Sequence, residues 1–157
     1  MHDLDAFLRW NSGRLLENRT RGAFAVWLVN RVLGLDPGEH HIESAEVDVT
    51  DGAITLKVKS AAYVQPGPQE RPSPISFQIE QRAALAYVFC LLVEQDPEMV
   101  DPQDLSQWRF WVVPTVRLHA DRQSIGLQPL IRAHGEGISY EELPARVQAL
   151  RPSATVA

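Results

Sequence analysis

Apolar residues recur along this chain with two periods, and the change from one to the other marks its elements. Ala23, Phe24, Trp27, Leu28, Arg31 and Val32 return at helical spacing, and Gly34 stands where a C-terminal cap belongs. This spacing predicts a helix over 20–33. Leu4, Phe7 and Leu8 share a face and predict a shorter helix over 4–10. The period then falls to two. Ala45-Glu46-Val47-Asp48-Val49 alternates apolar with acidic, Asp51-Gly52 is a tight-turn dipeptide, and Ile54 to Lys59 alternates again. The pair predicts a hairpin with Ile54, Leu56 and Val58 on an apolar side and Thr55, Lys57 and Lys59 on a charged side.

Further along, Pro66 to Pro74 holds four prolines and a glycine and reads as a loop, and Ile75 to Ile79 alternates as a strand. Ala84 to Leu92 is continuously apolar. Tyr87, Val88 and Phe89 favour a buried central strand there, although periodicity alone fits a helix as well. Asp101 to Gln107 reads as one helical turn, and Trp108 to Val113 as a strand stopped by Pro114. Ser139 to Leu150 reads as a closing helix, with Ser139 and Glu142 spaced as a capping box. The expected fold class is α/β (α+β), a mixed sheet flanked by helices, in a single domain over 1–151 with a frayed tail over 152–157.

Composition removes several alternatives. The chain has 157 residues and one cysteine, Cys90, so a disulfide scaffold and a zinc ribbon are excluded. The longest uncharged apolar run, Ala83 to Val93, is far short of the roughly 20 residues that span a bilayer. The acidic opening lacks the apolar segment of a secretory signal, and with a lone thiol this predicts a cytoplasmic protein. The net charge of −5 is unevenly spread: residues 35–52 carry six acids and no Lys or Arg, whereas 1–34 and 53–92 each carry +2. A general nucleic-acid coat would be basic throughout. Any nucleic-acid contact must therefore come from a local patch, with Arg14, Arg19, Arg21, Lys57 and Lys59 as its candidates.

The remaining signal is Asp48, a turn, and then Lys57-Val58-Lys59 on the next strand. Metal-dependent nucleases place a carboxylate on a first strand, and a second acid and a lysine two residues apart on the next, so that all three face one way. The stretch Val58-Lys59-Ser60-Ala61-Ala62-Tyr63-Val64-Gln65 resembles the core motif of the PD-(D/E)XK nuclease-like superfamily. More narrowly, the chain resembles a bacterial family of small uncharacterised proteins with that restriction-endonuclease-like core. Further segments resemble it in order: Asn18 to Gly22, Ile75-Ser76-Phe77, Ala86 to Phe89, Asp104 to Trp108, and Tyr140 to Leu143. The resemblance spans roughly residues 18 to 148. It implies catalytic roles for Asp48, Lys59 and Gln65, Mg²⁺ or Mn²⁺ as the cofactor of an active member, nucleic acid or a protein as partner, and a homodimer as a further expectation.

The chain departs from that pattern at two carboxylates. Lys57 stands where the motif has Glu, and Val26 where a helix acid is expected. An ammonium about 4 Å from Mg²⁺ repels it by roughly 8 kcal/mol at an effective dielectric of 20. It also has no lone pair to donate. The expectation is a nuclease fold whose cleavage is lost or weakened, acting as a binding or regulatory module. The alternatives are an active endonuclease that borrows an acid from Glu46, Glu17, Asp51 or Glu80, and an interaction protein that makes no nucleic-acid contact. His40-His41 read as exposed histidines, Cys90 as a buried small hydrophobe, and Trp108, Phe110 and Trp111 as core.

Overall fold

A computed structural model describes residues 4–36, 46–80 and 82–151. Residues 37–45, with the histidine pair at 40–41 and Ala45 of the expected first strand, and the tail over 152–157 lie outside the described residues. The elements run α1 (Leu4–Asn11), α2 (Asn18–Val32), β1 (Val49–Asp51), β2 (Ile54–Ala62), β3 (Ser76–Gln78), β4 (Ala86–Leu92), β5 (Trp108–Pro114), β6 (Ser124–Gly126), α3 (Leu127–His134) and α4 (Leu143–Gln148). The fold is mixed α+β. A four-stranded sheet has the order β1-β2-β4-β5, and a two-stranded sheet pairs β3 with β6. β2 and β4 run parallel, while the other pairs are antiparallel.

α2 ends as its sequence predicts. Gly34 takes φ +72°, Leu35 N–H donates to the Asn30 carbonyl at 2.9 Å, and Gly34 N–H donates to Arg31 at 3.1 Å. These are the two closing bonds of a Schellman turn. β4 resolves the strand-or-helix ambiguity: all seven residues are buried, and it lies between β2 and β5. A strand with no solvent face has no reason to alternate, so its sequence reads as one apolar run.

Both faces of the large sheet are covered. On one, Ala25, Val26, Leu28 and Val29 of α2 and Leu143 and Val147 of α4 pack on Leu56, Val58, Val88, Cys90, Trp108 and Phe110. The Tyr140 hydroxyl crosses this core to donate to the Leu28 carbonyl at 2.7 Å. On the other, β3, β6 and α3 bring Phe77, Ile79 and Leu130 onto Tyr87, Phe89, Trp111 and Val113. Trp108 and Phe110 therefore serve one core and Trp111 the other.

The structure corrects four expectations. The hairpin's charged side is not a solvent face. Lys57 is in register with Tyr87 and Lys59 with Phe89, so both lysines stand on the side covered by the second core. The first strand of the hairpin begins at Val49 and leaves Glu46, Val47 and Asp48 outside it, for a reason given below. Ser139 and Glu142 do not form the reciprocal capping box. The Ser139 hydroxyl donates to the Glu142 carboxylate at 3.2 Å, and a single turn over Tyr140–Glu142 precedes α4. Finally, residues 124–134, for which the pattern predicted no element, form β6 and α3.

Candidate functional site

The open edge of β2 and the N-terminal half of α2 enclose a groove of about 290 Å³. Asn18, Arg19, Gly22 and Val26 line it from the helix, and Asp48, Lys57, Lys59 and Ser60 from the hairpin. The position without its expected helix acid and the position holding lysine in place of glutamate thus face one space, together with Asp48.

Asp48 holds this edge together. β1 pairs with β2 only from Val49 to Asp51, and the Asp48 N–H adds one more ladder bond, to the Leu56 carbonyl at 2.9 Å. The next donor on β2, the Val58 N–H, is taken by the Asp48 carboxylate at 2.8 Å. A side chain thereby replaces the main-chain partner, and the ladder ends there. This is why the strand does not continue back through Val47.

The same carboxylate faces Lys57, with Nζ at 3.4 Å from Oδ2 and 3.5 Å from Oδ1. Those distances are long for a hydrogen bond and describe a charge pair. Its two side chains are only 3% and 2% exposed. At an effective dielectric of 20 the attraction is about 5 kcal/mol, comparable to the several kcal/mol that each ion loses in leaving water. The pair therefore contributes little net stability while intact, and either charge left alone would be costly.

Lys59 differs from its neighbour. It is half-buried and makes no hydrogen bond or ion pair among the described residues. Burial lowers the pKa of its ammonium first and the charge of Lys57 lowers it further, with Asp48 and Glu80 partly offsetting them. It presents a cation to the groove, beside exposed Arg19.

The other expected contacts are not all brought here. Arg21 is 3% exposed and belongs to the interior. It donates to Asn18 Oδ1 at 2.7 Å, to the Leu16 carbonyl at 2.9 Å and to Ser60 Oγ at 3.3 Å, fastening the start of α2 to β2. Burial pushes its pKa down to about 10, so it stays charged at neutral pH. Arg21 and Lys57 are thus corrected from surface contacts to internal ones. Arg14 is exposed but does not line the groove. Gln65 lies past the end of β2, where its amide donates to the Ala62 carbonyl at 2.9 Å, and it does not reach the groove either.

A divalent metal does not fit this donor set. Hard cations need several oxygen ligands. Among the described residues Asp48 is the one carboxylate lining the groove, and its oxygens already face Lys57 and the Val58 N–H. Glu17, Glu46 and Glu80 are exposed and do not line the groove, and Asp51 pairs with Arg151 at 2.7 Å. Among the described residues no three His, Cys, Asp or Glu side chains gather as a metal site. Cys90 is fully buried, and burial pushes its thiol pKa up, which makes it inert.

Arg21 was legible in retrospect. It lies four residues before Ala25 and eight before Val29, on the same buried stripe of α2. Comparison with protein families, with curated proteins and with solved structures yields no match for this chain.

Proposed function

We propose that this chain is a PD-(D/E)XK-like nuclease scaffold without metal-dependent cleavage, which binds a nucleic-acid backbone in the groove between α2 and β2. One observation carries the reading: a buried ammonium, Lys57, faces Asp48 at 3.4 Å, where the resembled motif would have two carboxylates sharing a cation. The pair neutralises Asp48 from within. It leaves Lys59 as the charge offered to a ligand, on a groove that Arg19 also lines. A phosphodiester supplies the anionic oxygens that such cations recognise, and lysine acts on it as a point charge.

Two contributions follow from the geometry. Lys59 attracts and positions a phosphate. The edge of β2, closed at Val58 by Asp48, provides a rigid floor. Among the described residues no group in the groove is arranged to activate water.

The test is binding of a fluorescent duplex and of a single strand across a salt series, with cleavage of the same substrates followed in Mg²⁺ and Mn²⁺. The expected result is binding that weakens steeply with salt, falls at least several-fold in Lys59→Ala, and is accompanied by no cleavage. Metal-dependent cleavage abolished by Asp48→Ala would overturn the reading in favour of an active enzyme. Absence of any salt-dependent binding would favour an interaction protein with no nucleic-acid contact.

A further inference from the structure

A second cationic site lies away from the groove, where β3, β6 and α3 meet the turn after β5. A cavity of about 180 Å³ opens there. Arg117, Arg122 and Arg132 line it, with His119 and His134 beside them, over a floor that includes Ile79 and Leu118. No acid lines it. Asp121 is the one acid between residues 117 and 134 and stays outside, while Glu136 lines the adjoining cavity with Arg117 and His134.

The three guanidinium groups make no hydrogen bond or ion pair among the described residues. Two other arginines in the chain are used structurally. Arg21 makes three internal bonds, and Arg82 donates to the His119 and Arg122 carbonyls at 2.6 and 2.7 Å. The Arg82 contacts hold the backbone of this turn in place, so the cavity is braced by one arginine and lined by three others. In a chain of net charge −5, three arginines around one concavity focus a local positive field. Burial first, and then the Arg117 charge, hold the His134 imidazole below its ordinary pKa, consistent with a site already rich in positive charge.

We infer that this cavity binds a phosphate group through Arg117, Arg122 and Arg132. Guanidinium forks suit phosphate because each can donate two parallel bonds, and a phosphate has enough oxygens for more than one fork. A carboxylate would satisfy one fork and leave the other cations facing each other. The phosphate comes either from a small phosphorylated molecule or from a nucleic-acid backbone extending from the groove, and the experiment separates these sources.

Inorganic phosphate is titrated into the full-length protein by calorimetry at fixed ionic strength, with acetate as competitor. A single-stranded oligonucleotide is titrated in parallel. Wild type is compared with Arg117→Gln/Arg132→Gln, with Arg31→Gln/Arg71→Gln as an equal change of charge elsewhere, and with Lys59→Ala. Saturable phosphate binding, weakened at least tenfold in the first double variant only and not displaced by acetate, supports a small-phosphate site. No phosphate binding, but oligonucleotide affinity at least tenfold weaker in the first double variant than in the second, supports a backbone site. The inference is overturned if neither affinity responds selectively to Arg117 and Arg132, or if acetate displaces phosphate at equal concentration. Lys59→Ala reads the groove separately, so either site can fail without the other.

Discussion

Replacing Lys57 by methionine tests how the buried charge pair works. Methionine keeps most of the side-chain volume and removes the charge, leaving the Asp48 carboxylate, 2% exposed, with the Val58 N–H as its one hydrogen-bond donor among the described residues and Lys59 as a weaker electrostatic neighbour. Removing one member of a buried pair costs about 3–5 kcal/mol, because an uncompensated charge remains inside. For a chain of this size each kcal/mol lowers Tm by roughly 2–4 °C, so Lys57→Met should melt about 6–20 °C below wild type. The double variant Asp48→Leu/Lys57→Met removes both charges. Its main remaining deficit is the orphaned Val58 N–H, worth about 1–3 kcal/mol. The double variant should therefore be more stable than Lys57→Met alone. Urea unfolding of the four-member cycle measures the coupling directly. A Lys57→Met single variant within about 1 kcal/mol of wild type, or a double variant less stable than both singles, would refute the argument.

Other predictions probe the same geometry from different sides. Lys57 and Lys59 are the only lysines in the chain, so amine acylation of the folded protein followed by peptide mapping should label Lys59 and spare Lys57 until denaturant is added. Equal labelling in the native state would contradict the burial difference. Gly22→Ala should raise stability by about 0.5–1 kcal/mol in thermal unfolding, since it improves helix propensity and its Cβ would meet nothing closer than Ser60 Oγ at 4.0 Å. Gly137→Ala should destabilise instead, because its Cβ would sit 2.8 Å from Arg109 Cβ and 3.0 Å from the Trp111 ring. A result in the opposite order would mean that the chain at 137 shifts freely.

The sequence made the spine of the fold legible where burial is uniform or cleanly periodic. The apolar run of β4, the helix period and capping glycine of α2, and the turn beginning at Asp51 each carry their own physical signature. The lysine face of β2 misled because alternating charge usually means solvent. What covers it, the β3–β6 pair and α3, comes from segments 76–78 and 124–134, joined only through tertiary pairing. At the site, the sequence and its resemblance brought Asp48, Val26, Lys57 and Lys59 together, and the structure gathers these four on one groove. It did not reveal that Lys57 turns inward. Whether a lysine points to water or to a buried carboxylate depends on where β1 stops, and that is set by the side-chain bond from Asp48 to Val58. The basic cavity was equally hidden, since Arg117, Arg122 and Arg132 are spread over two elements and a loop.

The central claim is that Lys57 occupies, as an internal cation, the place of a metal ion. Calorimetric titration of Mn²⁺ into wild type and into the Val26→Glu/Lys57→Glu variant tests it most directly. The account predicts no saturable binding to wild type, and a saturable site in the variant that is lost when Asp48→Ala is added. Saturable Mn²⁺ binding to wild type that disappears in Asp48→Ala would contradict it.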